Sequence, residues 1–208
     1  MLQELRQASN NYVSIANHYD ELVEECASLE FIAINAGIAS KQANNDSFMK
    51  LSSEIQIMSA NVTEAAHLGR ATAFKCLDDT AQSFGQLLTM TRFYGLYDRA
   101  SSQQKRLAPY LSKVKNAITE YSILELKRNT SQMSRSLDNL IALVNIGKTM
   151  AIGGKIKAVY IAGSEEKFRI ITETMQESID RLFELLDQIS SEFDMIQSLF
   201  ANMSAERV

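Results

Sequence analysis

The sequence is poor in residues that end helices. It contains one proline and only eight glycines among 208 residues, so the chain has few places at which a helix must stop. Ala, Leu, Ile, Met, Gln, Glu, Lys and Ser fill much of the remainder. This composition predicts a small number of long helices.

Three further absences exclude classes of protein. The net charge is only −4, with acidic and basic residues interspersed, so no basic surface is available for nucleic acid. No uncharged apolar run reaches the about 20 residues of a membrane span, and residues 1–4 lack the basic and apolar regions of a signal peptide. Cys26 and Cys76 form no motif and suit a reducing compartment. We therefore expect a cytoplasmic protein, or part of a larger one.

Apolar residues recur at alternating steps of three and four from the N-terminus onward. The members are Leu5, Ala8, Tyr12, Ile15, Tyr19, Leu22, Cys26, Leu29, Ala33, Ala36 and Ala43, with Ser40 as the one plainly polar member. More than five heptads in phase predict a coiled-coil helix. The series stops at residues 44–47. There Asn44 tolerates the left-handed backbone of a helix end, and Asp46 and Ser47 are good N-caps for the next helix.

Three further registers follow. The second comprises Phe48, Leu51, Ile55, Met58, Val62, Ala65, Gly69, Thr72 and Cys76, shifts phase at Asp79, and resumes with Ala81, Phe84 and Leu88. The third starts with Leu111, Val114, Ile118 and Tyr121, shifts at Glu125 and Arg128, and continues with Leu137, Leu140, Val144, Gly147, Ala151, Gly154, Ala158 and Ile161. The fourth contains Phe168, Ile171, Met175, Leu182, Leu185, Ile189, Ile196 and Leu199, interrupted by Ser178 and Glu192. Glycines within these registers indicate either close helix packing or a flexible hinge.

The registers predict four helices, at about 2–43, 47–99, 109–161 and 165–204. Pro109 suits the first turn of the third helix, and Gly163 followed by Ser164 suits a helix end and a new N-cap. Helices of this length must pack side by side, and short turns make sequence neighbours antiparallel. The predicted fold is all-α, an elongated antiparallel four-helix coiled-coil bundle made of two helical hairpins.

The two predicted hairpins are related. Ile38 and Phe48 flank the first turn as Ile156 and Phe168 flank the second. The interpretation is a single bundle over residues 1–208, with a pseudo-repeat of 1–99 and 109–208 joined by 100–108. Both tight turns should lie at one end, and one chain could supply all four helices.

Residues around the first turn resemble a known family. The chain has Ile-Ala-Ile-Asn-Ala-Gly-Ile at 32–38, then a turn, Phe48 and Glu54-Ile55, and a fainter copy runs from Met150-Ala151-Ile152 to Phe168. This pattern is similar to the cytoplasmic signalling hairpin of bacterial methyl-accepting chemotaxis proteins, present here as two degenerate copies in one chain. The resemblance implies a bacterial cytoplasmic module for chemotaxis signal transduction, which binds proteins near its hairpin tip.

The chain departs from the family at polar positions. Ser28-Leu29-Glu30 and Ala39-Ser40-Lys41-Gln42 replace polar family motifs, and Gly153 and Lys157 do so in the second copy. In the family these positions bind a histidine kinase and its coupling protein, so the resemblance does not extend to those contacts. The candidate partner-contact residues are Asn35, Ala36, Ile38, Lys41, Gln42, Asn44, Phe48, Lys157 and Phe168. The framework would consist of Ala33, Asn35, Ala36, Ile38 and Phe48. The residues that set specificity would be Lys41, Gln42, Asn44 and Lys157.

No catalytic, cofactor-binding or metal-binding constellation is evident. His18 and His67 are the only histidines, and no nucleophile is paired with a base. The sequence therefore predicts a non-enzymatic signalling or scaffold module whose partners are other proteins, with a homo-oligomer open. The alternative is a purely structural coiled-coil spacer or oligomerisation domain.

Overall fold

The structure, a computed structural model, describes residues 2–97, 108–160 and 165–205. These residues form four long helices and no strand: α1 (Leu2–Gln42), α2 (Asp46–Tyr97), α3 (Ala108–Ala158) and α4 (Glu165–Ala205). The predicted all-α class is confirmed. The predicted turn at 162–164 lies outside the described residues, as does all of the predicted linker except its last residue.

The chain divides into two compact units, and each contains a segment of every helix. The first unit comprises Met1–Ile15, Ala71–Ser134 and Ser191–Val208, and the second comprises Ala16–Arg70 and Arg135–Ser190. This division differs from the halves 1–99 and 109–208. The pseudo-repeat therefore stays a prediction.

Helices α1 and α2 are antiparallel in the second unit. The hydroxyl of Ser52 donates to the carbonyl of Ala33, and that of Ser59 donates to the carbonyl of Cys26 at 2.7 Å. Residue numbers rise along α2 as they fall along α1, so the two helices form a hairpin.

In the second unit α3 lies between α2 and α4, and α4 also contacts α1. Gly147 of α3 faces Met58 of α2 and Ile179 of α4. Ser178 of α4 donates a hydrogen bond to Glu25 of α1. Each helix thus contacts two antiparallel neighbours, and the four segments of this unit pack as a bundle. Supercoiling of the helices stays a prediction.

The core of the first unit combines large and polar side chains. Tyr12 of α1 is fully buried beside Cys76 of α2 and Thr130 of α3. Asn129 donates to the Asp79 carboxylate at 2.5 Å and joins α3 to α2. The Asn129–Asp79 bond therefore satisfies polar groups of two neighbouring helices at the edge of this core.

The predicted register of α1 is confirmed. All of its members are buried except Ala43, which is half-buried. Ser40 is also buried, because its hydroxyl donates to the Ala36 carbonyl at 2.6 Å. A hydroxyl satisfied by its own helix can occupy a core position without a large desolvation cost.

The predicted register of α2 is confirmed through Val62 and at Gly69 and Cys76, and it is wrong at its other members beyond Val62. The buried residues are Ala66, Gly69, Ala73, Cys76, Thr80, Ser83 and Leu87, whereas the predicted Ala65, Thr72, Phe84 and Leu88 are half-buried and Ala81 is exposed. No phase shift at Asp79 is needed, because Thr80 occupies the core and donates to the Cys76 carbonyl at 2.6 Å. The prediction alternated steps of three and four strictly, whereas the buried face takes two successive steps of four, from Met58 through Val62 to Ala66.

The later part of the α3 register is confirmed and its start is wrong. The predicted members from Leu137 to Ala158 are buried, but Val114 and Tyr121 are exposed. Leu126 and Met133 carry the buried face earlier in the helix. The side chains of Leu111 and Ile118, like residue Ile161, lie outside the described part of the chain.

At three positions of α4 the buried residue lies one residue later than predicted. Thr172, Leu186 and Phe200 are buried, whereas the predicted Ile171, Leu185 and Leu199 are half-buried at the edge of the core. Ser178, predicted to interrupt the register, is buried. Its hydrogen bond to Glu25 explains why a hydroxyl is tolerated there.

Candidate functional site

The turn after α1 closes by a hydrogen-bond pattern that an asparagine makes possible. Asn44 has a φ of 51°, a left-handed conformation that Asn adopts more readily than most residues. The amide of Asn45 donates to the Ser40 carbonyl at 2.9 Å, and that of Asn44 donates to the Lys41 carbonyl at 3.2 Å. This pair of bonds is a Schellman motif. It confirms the predicted role of Asn44 in ending α1.

The start of α2 is capped one residue earlier than predicted. The side-chain oxygen of Asn45 accepts a hydrogen bond from the Phe48 amide at 2.9 Å, which is the usual N-cap interaction. Asp46 is the first residue of α2. The expectation that Asp46 or Ser47 would cap the helix is therefore wrong, because Asn45 can serve both as the end of the turn and as the cap.

An aromatic pair joins the two hairpins beside this turn. The rings of Phe48 and Phe168 have centroids 4.5 Å apart, are tilted by 60°, and are fully buried. On the surface above them, Lys167 donates to the Gln42 side chain at 3.3 Å, and Lys157 donates to the Ser47 carbonyl at 3.5 Å. The end of α1, the first turn, the start of α2, the end of α3 and the start of α4 therefore lie together. We call this region the tip.

The structure sorts the predicted contact residues into two groups. Ala36, Phe48 and Phe168 are buried, so they support the tip from inside and offer no contact surface. The other predicted residues are exposed, namely Asn35, Ile38, Lys41, Gln42, Asn44 and Lys157. Asn35 and Ile38, both predicted to be framework, are exposed because they lie on the outer face of α1.

A cavity at the tip was not predicted from the sequence. It has a volume of about 420 Å³ and lies between the last turns of α3 and the first turns of α4. Arg169 on its wall bonds Glu166 at 2.6 and 3.0 Å and Glu173 at 2.7 and 2.9 Å. The guanidinium lowers the pKa of the Glu166 carboxyl, and the two carboxylates raise the pKa of Arg169. Because its charge is already compensated, Arg169 is not poised to bind an anion. The charged spacings of three and four were visible in the sequence.

Outward-facing apolar residues were also missed. Phe31, Ile34 and Ile38 lie exposed along α1, and Ile152, Ile156 and Tyr160 lie exposed at and beyond the end of α3. The signal was present in the sequence as apolar residues outside the predicted registers. It was hidden because those registers already explained most of the hydrophobic pattern.

The two thiols lie outside the tip surface and are unreactive. Cys26 and Cys76 are both buried and unpaired with each other. Burial raises the pKa of each thiol to about 11, so both stay protonated near neutral pH and are poor nucleophiles. Within the described residues no group of three His, Cys, Asp or Glu side chains could hold a metal ion.

Comparison with known proteins assigns the chain to no family: no family model, no curated protein and no solved structure matches it. In the described parts of the chain, none of the helices has an apolar stretch sufficient to cross a membrane. The function must therefore be argued from the tip and from the exposed faces of the helices.

Proposed function

We propose that the chain is a non-enzymatic signal-transduction or scaffold module that acts through protein contacts at the tip. One observation carries this proposal. The buried Phe48–Phe168 pair joins the starts of α2 and α4, and bonds from Lys157 and Lys167 hold the ends of α3 and α1 beside them. The surface of this region presents Lys41 and Asn44. A preorganised surface loses little conformational entropy when it binds a partner.

The chemistry of the tip suits a protein partner better than a substrate. Its exposed groups are amides, lysines and apolar side chains, and the arginine beside the cavity is already paired with two glutamates. The resemblance to the signalling hairpin of chemotaxis receptors suggests a bacterial cytoplasmic partner. A histidine kinase or its coupling protein is the first candidate, although the polar residues that bind them in the family are replaced here.

A capture experiment tests this proposal. The full chain is immobilised and exposed to bacterial lysate, beside a tip variant that combines Lys41→Glu with Asn44→Glu. A matched control combines Lys75→Glu with Gln82→Glu, which are exposed positions on α2 in the first unit. We expect the tip variant to lose a specific set of captured proteins and the control to keep it. Capture that survives the tip variant and is lost with the control would contradict the proposal.

A second candidate is a structural spacer or oligomerisation domain. The outward-facing apolar residues of α1 and α3 favour this alternative, because such residues are costly to leave in water. The two candidates differ in where their contacts lie, at the tip or along the outer faces of the helices.

A further inference from the structure

Two apolar stripes face outward from the second unit. On α1, Phe31, Ile34 and Ile38 are 65%, 42% and 53% exposed; we call them the α1 stripe. On α3, Ile152 and Ile156 are 50% and 59% exposed; we call them the α3 stripe. Spacings of three and four place the members of each stripe on one helix face. Each stripe is therefore a continuous apolar surface.

The two stripes cannot meet within one molecule. In the second unit α1 contacts α2 through Ser52 and α4 through Ser178. Gly147 of α3 likewise faces side chains of α2 and α4. Helices α1 and α3 therefore occupy opposite corners of this bundle, and their outer faces point in opposite directions. Burial of both stripes requires other molecules.

The charges around the stripes have opposite signs. Residues 16–42 of α1 carry five acidic residues and one lysine, whereas residues 135–158 of α3 carry four basic residues and one aspartate. Glu30 is next to Phe31, and Lys148 and Lys155 flank Ile152; all three charged residues are exposed. Asp20 and Glu25 are already paired with Arg70 and Arg181. Glu30 is the acidic group beside the α1 stripe, and its charge is complementary to those of Lys148 and Lys155 beside the α3 stripe. The surface that fits one stripe is thus the other stripe of a second copy.

The spacing of the two stripes also agrees. Ile34 and Ile38 are four residues apart, as are Ile152 and Ile156. If two copies lie parallel with Ile34 level with Ile152, then Ile38 is level with Ile156, and Glu30 is level with Lys148. Apolar contacts and an opposite charge pair therefore coincide in one register.

We propose that the α1 stripe of one copy packs in parallel against the α3 stripe of a second copy. The contact joins two different surfaces. A pair of copies therefore keeps two unused stripes, the α3 stripe of the first copy and the α1 stripe of the second. Assembly then continues to a ring or an open chain. Pairing of two α1 stripes is disfavoured because it brings like charges together. The stripes adjoin the tip at Ile38 and Ile156, but the tip variant of Lys41 and Asn44 leaves both stripes intact, so the two proposals are tested separately.

Complementation of two defective variants tests the proposal. One variant combines Ile34→Gln with Ile38→Gln, and the other combines Ile152→Gln with Ile156→Gln. Gln keeps helix propensity, and exposure at these positions preserves the fold, which circular dichroism and thermal melting verify. The matched control combines Ile57→Gln with Leu68→Gln, which are 62% and 67% exposed on α2 in the same unit.

Analytical ultracentrifugation of the full chain reads the result. We expect the wild type and the control to associate with rising concentration. The dissociation constant of each stripe variant should be higher by about tenfold or more. An equimolar mixture of the two stripe variants should form a 1:1 dimer and nothing larger, because each supplies the stripe the other lacks. A wild type that stays monomeric up to its solubility limit overturns the proposal. An equimolar mixture of the two stripe variants that does not pair also overturns it. The same holds if the α1 variant loses assembly while the α3 variant assembles like the wild type.

Exchange of one charge pair tests the register. Glu30→Lys and Lys148→Glu should each weaken association, and the double variant should recover it because the pair is reversed. Lys148 also lies 5.1 Å from the centre of the Phe183 ring, so its loss alone could disturb α4. Recovery in the double variant excludes that explanation. Single variants that associate like the wild type would overturn the proposed register.

Discussion

The second unit buries some hydroxyl groups against a neighbouring helix, although others, such as those of Ser40 and Thr172, bond within their own helices. In the second unit Ser52 and Ser59 of α2 donate to backbone carbonyls of α1. In the first unit Thr80 and Thr130 donate to carbonyls one turn earlier in their own helices. A short side chain reaches the backbone of a neighbouring helix only where the two helices approach closely. Helices α1 and α2 are therefore tightly apposed in the second unit.

Glycines support the same contrast. A Cβ added at Gly69 would lie 2.4 Å from the Tyr19 ring, and one added at Gly154 would lie 2.8 Å from Leu51. In the first unit Gly85 has open space around it. Close packing, not a hinge, accounts for Gly69, Gly147 and Gly154 of the second unit, whereas Gly153 has open space around it. The difference teaches that the second unit is intolerant of added or removed volume, which the following variants test.

The largest effect is expected from Phe48→Ala. Removal of this fully buried ring leaves Phe168 without its aromatic neighbour, and such truncations cost about 3–5 kcal/mol. Urea denaturation measures the change in the free energy of unfolding. Phe31→Ala is the matched control, because the Phe31 side chain is exposed, and its effect should lie within about 0.5 kcal/mol. Equal effects of the two variants would show that the aromatic pair does not hold the tip.

A smaller destabilisation is expected when volume is added to the core instead of removed. Gly69→Ala gains about 1 kcal/mol of helix propensity but forces the buried Tyr19 ring to move, and overpacking typically costs about 1–3 kcal/mol. Gly85→Ala gains the same propensity with no clash. Thermal melting should therefore show Gly69→Ala destabilised and Gly85→Ala stabilised. Stabilisation by both would refute tight packing in the second unit.

The two thiols allow a comparison of the units by pH. Burial raises the pKa of Cys26, in the second unit, to about 11, so the native state keeps a proton that the unfolded state loses near pH 9. Its contribution is complete below pH 9 and is lost as the pH rises toward 11. At pH 10 the loss is on the order of 1 kcal/mol. Denaturation at pH 8 and pH 10 should show a smaller difference in Cys26→Ala than in the wild type.

Cys76 provides the corresponding test in the first unit, because burial also raises the pKa of its thiol to about 11. Cys76→Ala should reduce the pH dependence in the same direction. Wild-type stability that does not change between pH 8 and pH 10 would contradict burial of both thiols.

The helices and the buried apolar residues of α1 could be predicted because heptad spacing is a local property of the sequence. Leu22, Leu29, Ile55, Val144, Met175 and Leu182, which the registers place in the core, are all fully buried. The positions of Thr80 and Ser178 could not be predicted in this way. Whether a hydroxyl is buried depends on an acceptor, which for Ser178 is Glu25 on another helix.

The tip was predicted only in part, for a related reason. The sequence indicates where the turn lies, since asparagine suits a helix end, but it assigns the cap to Asp46 or Ser47 instead of Asn45. The second register predicts that Phe48 points inward. The resemblance, however, makes Ile38 part of the framework, and Ile38 is exposed. Its exposure depends on the helix face that the bundle buries, which is a property of the tertiary packing.

The smallest effect is expected at Asn44, where the backbone alone decides the outcome. Its left-handed φ of 51° costs an alanine about 1 kcal/mol, and glycine adopts it without strain. Asn44→Ala should lower the free energy of unfolding by up to about 1 kcal/mol, whereas Asn44→Gly should leave it unchanged within a few tenths. Urea denaturation of both variants measures this difference. Because both remove the same amide, a loss shared by the two would assign the effect to the side chain and not to the Schellman turn. If Asn44→Gly leaves the free energy of unfolding unchanged, it also removes the Asn44 side chain from the tip surface without disturbing the helix end.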